Sequence, residues 1–158
     1  MGVMRKALLA VSAAVVAVAA IGAANAGPEA APEADVAHHG HVSLTGGRLK
    51  VSLASESLGP ANLENATVRL AFSAPPAAVP ALPPGCLWST ETVVLCATGP
   101  LRAGAGGRRV ALDLRTRGTP EQVAVEIGTH WNGGVADESP DNNEHRVLTP
   151  ATGRSYAF

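Results

Sequence analysis

Leu49-Lys50-Val51-Ser52-Leu53 alternates apolar and polar side chains. In an extended chain this sends Leu49, Val51 and Leu53 to one face and Lys50 and Ser52 to the other. The same period returns at Val68, Leu70 and Phe72, at Val110, Leu112 and Leu114, and at Val123, Val125 and Ile127. Each set predicts a half-buried strand, with Arg69, Asp113 and Glu126 on the solvent side. Turn formers separate the sets, among them Gly46-Gly47, Gly59-Pro60, Pro83-Pro84-Gly85, Gly104 to Gly107 and Gly118 to Pro120. No stretch after residue 27 sustains a helical period. About seven short strands at this spacing predict an all-β, two-sheet sandwich whose edges Pro and charged residues would protect.

Composition agrees with that reading. Of 158 residues, 46% are hydrophobic and 16% charged, too apolar for a disordered polyelectrolyte. With 17 Gly and 12 Pro the chain is interrupted too often for a helical bundle. Twelve basic residues against thirteen acidic ones give no electrostatic reason to expect nucleic acid as a partner. Arg outnumbers Lys ten to two and Ala is abundant, a bias associated with GC-rich bacterial genomes.

Residues 1–26 carry the grammar of an export signal. Arg5 and Lys6 form the charged start, an apolar run extends from Ala7 to about Ala24, and Ala24-Asn25-Ala26 is the cleavage triplet. Cleavage before Gly27 predicts a secreted, extracellular chain with a net charge of −3 and no membrane anchor. Residues 27–41, rich in Pro, Ala, Glu and His, are expected to be a flexible leader. The folded domain is then expected over residues 42–150 and a C-terminal tail over 151–158.

The two cysteines, Cys86 and Cys96, both lie in the exported part, where a disulfide persists. Their spacing does not resemble the Cys-x-x-Cys of a redox pair. Closing so short a loop stabilises the fold by about 3 kcal/mol in the chain-entropy model. Pairing them across a hairpin sets Leu87 opposite Leu95, Trp88 opposite Val94 and Ser89 opposite Val93, with Thr90, Glu91 and Thr92 as the loop. Cys86, Trp88, Val94 and Cys96 then share a face, and Trp88 is core if that face is inward.

Three stretches carry a family resemblance. Ser57-Leu58-Gly59-Pro60-Ala61-Asn62-Leu63-Glu64-Asn65-Ala66-Thr67-Val68 is a Gly-Pro turn leading into a strand. Pro83-Pro84-Gly85-Cys86 through Val94-Leu95-Cys96-Ala97-Thr98-Gly99-Pro100-Leu101-Arg102-Ala103-Gly104 pairs cysteines and adds a leucine-containing connection and a Gly turn. Asp137-Glu138-Ser139-Pro140-Asp141-Asn142-Asn143 is a polar corner before the last strand. In this order and spacing they resemble the DUF11-type repeat, an immunoglobulin-like module of secreted and surface bacterial proteins close to the CARDB adhesion modules. Ser57-Leu58 stands where that family usually has Asn before Gly-Pro, and a single copy stands where its modules commonly run in tandem. The resemblance implies an immunoglobulin-like sandwich in an extracellular setting and leaves the partner open.

Candidate chemistry is sparse. His38, His39 and His41 are close enough in sequence to be weak candidates for a zinc, copper or nickel site, without an evident carboxylate or thiolate to complete it. Asp137, Ser139 and Asp141 alternate like the start of a calcium loop, but Asn142 stands where the loop needs Gly, and a polar turn is expected instead. His130, Asp137 and Ser139 supply the residue types of a hydrolase triad with no Gly-x-Ser-x-Gly elbow, and no other catalytic constellation occurs. The chain is therefore expected not to be an enzyme and to need no cofactor. The expected partner is an extracellular protein or cell-wall glycan, met by the loop holding His130, Trp131 and Asn132, although Trp131 equally suits a cap on the core. A small inhibitor that inserts Ser55 to Asn65 or Ala74 to Pro84 into an extracellular enzyme is the alternative.

Overall fold

A computed structural model describes residues 33–137 and 139–158; the expected signal and cleavage site lie outside the described residues. The apolar alternation is realised as strands throughout. In chain order they are β1 (Glu33–Ala34), β2 (Val36–Thr45), β3 (Arg48–Ser57), β4 (Thr67–Phe72), β5 (Cys86–Thr90) and β6 (Val93–Ala97). Then follow β7 (Arg108–Arg115), β8 (Gln122–Trp131), β9 (Ala136–Asp137), a single 3-10 turn at Pro140–Asn143, β10 (His145–Pro150) and β11 (Ser155–Ala157). Two antiparallel sheets result, one ordered β11-β2-β3-β7 and the other β10-β8-β4-β6-β5, with β1 and β9 forming a short parallel pair. Strands β2, β3 and β7 against β4, β8 and β10 follow the A-B-E and C-F-G order of an immunoglobulin-like sandwich. The β5–β6 hairpin extends the second sheet beyond β4.

The sheets bury the alternating sets against one another. Leu49, Val51 and Leu53 face Val68, Leu70 and Ile127 across the core, and Val42, Leu44 and Val94 are fully buried with them. Burying each such side chain contributes about 1.5–3 kcal/mol. Gly46 and Gly47, at φ 52° and 72°, make the tight turn from β2 to β3, where two left-handed residues in succession match the twist of the strands. On the exposed edge, β7 carries Arg108, Arg109, Asp113 and Arg115, which discourage pairing with another chain. Arg48 is ion-paired to Asp113 across β3 and β7, and that hydrogen bond holds the Asp113 carboxyl below the usual carboxylate range.

The cysteine hairpin has the expected pairs at its base: Cys86–Cys96 is a disulfide, Leu87 faces Leu95 and Trp88 faces Val94. Beyond Trp88 the register shifts by a bulge, so that Thr90 rather than Ser89 faces Val93 and the loop shortens to Glu91-Thr92. Trp88 lies on the inward face, half-buried, edge-on to Phe72 with ring centroids 6.4 Å apart, and its indole N–H donates to the Pro80 carbonyl at 3.3 Å.

Two boundaries differ from the sequence reading. Residues 33–41 are not leader but strand: β2 begins at Val36, and Val36 and His38 are buried. Nor are residues 151–158 a tail, because β11 pairs with β2 and both Tyr156 and Phe158 pack on the main core. In each case an apolar alternation exists but is broken by a polar or small residue. His38 occupies an inward position, and β11 is only three residues long.

Candidate functional site

The connections β3–β4, β6–β7 and β8–β10 gather at one end of the sandwich around a second small core of Ala34, Val36, Leu63, Ala66 and Leu101. Bridges of Leu63 to Leu101 and of Ser57 to Ala103 tie two of these connections together. Val135 packs on the same cluster and secures the third. Asn142 Nδ2 donates to Asp35 Oδ1 at 2.6 Å and binds this corner to the start of the domain. In an immunoglobulin-like frame, connections at such an end are free to vary while the strands hold them in place.

Trp131 sits at this end because β8 bulges. Val123, Val125 and Ile127 point inward, so strict alternation would send Trp131 inward as well. Thr67 pairs with Trp131 and Val68 with Thr129, however, which leaves His130 as the extra residue. A bulge re-aims the side chain that follows it. Trp131 is 48% exposed, and His130 is exposed beside it. Of the two sequence readings of Trp131, exposure rather than a core cap is what the fold produces.

The loop after Trp131 is ordered by its own side chains. Asn132 Nδ2 donates to the Val135 carbonyl at 2.7 Å, and Asn132 Oδ1 accepts from the Gly134 N–H at 3.3 Å. Gly133, at φ 81°, lets the loop lie against the β3–β4 connection; a β-carbon there would come within 2.9 Å of the Asn65 carbonyl oxygen. Asp137 Oδ1 accepts from the Ser139 N–H at 3.0 Å and Oδ2 from Asn143 Nδ2 at 2.8 Å, the polar turn expected from sequence. Both oxygens of Asp137 are thus engaged within the turn rather than orienting His130. The resulting hollow, of about 360 Å³, is lined by His130, Trp131, Asn132, Asp137, Asn143 and Glu144. An indole beside amide, imidazole and carboxylate groups offers an apolar platform with hydrogen-bonding groups of both polarities.

His38 braces the strand just before the bulge. Its Nδ1 is 2.9 Å from Ser55 Oγ on β3 and its Nε2 2.9 Å from Thr129 Oγ1 on β8, so a neutral ring joins the two sheets with one donor and one acceptor nitrogen. Burial first, and then the nearby imidazoles of His145 and His39, push its pKa down to about 4. His39 and His41 lie on the opposite, exposed face of β2, so the three imidazoles do not converge on one metal. Among the described residues no group of three or more His, Cys, Asp or Glu is arranged to hold a metal ion. No helix among them is long and apolar enough to cross a membrane.

A separate hollow, of about 240 Å³, lies toward the other end, between the Pro75–Val79 segment, Trp88 and Arg117. Of the three residues expected in a loop, His130 and Trp131 instead end strand β8 and Asn132 follows it, and nothing in the sequence marks the bulge that exposes Trp131. Compared with family models, with curated proteins and with solved structures, the chain matches none.

Proposed function

We propose that this chain is a secreted, non-enzymatic immunoglobulin-like module that binds protein or glycan at the bacterial surface or in the medium, through the sandwich end that carries Trp131. The carrying observation is the outward turn of Trp131 over a hollow of polar groups. A half-exposed indole held at a strand end loses little conformational freedom on binding, which suits it to anchor a contact. Export is supported by the signal grammar of residues 1–26 and by the Cys86–Cys96 bond, which belongs to an oxidising compartment.

A second reading, inhibition of an extracellular enzyme by an inserted loop, draws on Val79. This residue is 78% exposed between Pro76 and Pro80, in a segment whose prolines limit the entropy lost on docking.

Both readings meet one experiment. The mature chain and its Trp131→Ala variant are incubated with cell-wall preparations and washed at high salt. Retention of the wild type should fall at least about tenfold in the variant. The urea midpoint should barely move, because Trp131 is half outside the core. Equal retention of both forms contradicts a role for Trp131, and recovery of the wild type as free monomer favours the inhibitor reading.

A further inference from the structure

The hollow at Trp131 does not end at the loop. A second hollow of about 410 Å³ adjoins it along the outer face of β8 and shares Thr129 and Glu144 with it. A third, of about 140 Å³, shares Glu126 and Arg146 with the second and reaches Ala124. Trp131 lies seven residues beyond Ala124, about 23 Å at the rise of a strand, so the three form one trough along β8.

Small residues at outward positions produce this trough. Gly128 sits in the middle of β8, opposite Arg69 on β4, and has no side chain to fill the face. A β-carbon there would come within 3.3 Å of the Glu144 carboxylate, which leans over the gap. Glycine inside a strand otherwise weakens it, and here it admits the Glu144 carboxylate close to the sheet.

The walls decide what fits. Arg69 and Arg146 flank Glu126 at 4.0 and 3.9 Å, loose and exposed pairs that solvent already competes for. Across the three hollows Arg69 and Arg146 stand against Glu126, Asp137 and Glu144, with His130 and His145 beside them, a near balance that favours neither a polyanion nor a polycation. Strand β8 is flanked by β10 over Gln122 to Ile127 and by β4 over Val125 to Trp131, so between Val125 and Ile127 both its edges are taken and an extended peptide cannot add to it there as a strand. Recognition here must come from planar side chains above the sheet and from one aromatic face at its end. That is the chemistry of hydroxyl-rich rings, whose edges meet carboxylate and guanidinium while their C–H faces stack on indole.

We propose that the trough from Trp131 past Gly128 to Ala124 binds a linear, uncharged glycan, several sugar units lying along β8 with the terminal contact at Trp131. The proposal rests on the reading of Trp131 as a binding residue and adds the ligand's class and its course.

The test titrates the mature chain with two series of uncharged linear oligosaccharides, β-1,4-linked glucose and β-1,4-linked N-acetylglucosamine, from a single sugar upward. For at least one series, affinity should rise about 100-fold from the single sugar to the longest oligomer. Gly128→Leu, which fills the trough, should flatten that rise, and Trp131→Ala should abolish binding of every length. Arg146→Gln, on an exposed edge where it cannot unfold the domain, should reduce the rise without removing it. Binding that depends on Trp131 but not on length overturns the trough and leaves the binding role of Trp131 standing. Silence of both series overturns the trough too, and whether Trp131-dependent wall retention persists then decides the broader reading separately. Capture of a peptide across Gly128 with glycans silent likewise overturns the proposal.

Discussion

Gly40→Ala should destabilise the protein by more than about 3 kcal/mol, a loss expected only where the backbone itself is obstructed. Gly40 lies within β2 opposite Leu53, and its N–H donates to the Phe158 carbonyl at 3.1 Å while its carbonyl accepts from the Phe158 N–H at 3.1 Å. A β-carbon at this position would overlap the Ser52 carbonyl oxygen and press on the Phe158 ring. A backbone oxygen in the middle of a sheet cannot move aside as a flexible side chain can, so β2 must separate from β3 or from the chain terminus. Urea denaturation reads the effect directly. A loss below about 1 kcal/mol would mean that β2 and β3 tolerate the separation and that Gly40 is not a close-contact site.

The second large effect is a pH dependence. His38 has a pKa near 4 in the folded protein and about 6.5 once unfolded, so between these values the unfolded chain binds the proton and the folded one does not. The stabilisation is therefore complete above pH 6.5 and is lost as pH falls through about 4, amounting to about 3 kcal/mol. Protonation also removes the acceptor nitrogen that one of the two hydroxyls, Ser55 or Thr129, requires. Urea midpoints measured from pH 7 to pH 4 should fall steeply in the wild type. In His38→Gln the fall should be shallower from a lower starting stability, and parallel curves would show that another group governs the acid limb.

Strands β3, β4, β7 and β8 were legible in the sequence because period-two alternation is uninterrupted at Leu49 to Leu53, Val68 to Phe72, Val110 to Leu114 and Val123 to Ile127. Cys86 and Cys96 set the base of the hairpin for a similar reason, since a disulfide leaves few registers open. Strand β2 was hidden because its inward series runs Val36, His38, Gly40, Val42, and a histidine satisfied by two hydroxyls looks like leader until those hydroxyls are in place. Trp131 was legible as a candidate but not its orientation, because the bulge at His130 arises from pairing with β4 across a separation of more than sixty residues. The trough was invisible for the same reason. Arg69, Glu144 and Gly128 meet only through the register of three strands.

The most direct measurement uses the two tryptophans, Trp131 at the loop end and Trp88 beside the proline-rich segment. Their indole N–H signals in a nitrogen-proton correlation spectrum can be followed while a long uncharged β-1,4-linked oligosaccharide is added to the mature chain. The Trp131 indole and the backbone signals of Asn132, Gly128 and Ala124 should move together and saturate, while the Trp88 indole, bonded to the Pro80 carbonyl, stays fixed. Movement of Trp88 and the Pro75–Val79 segment with Trp131 unchanged would contradict the account and transfer the binding site to the opposite end of the sandwich.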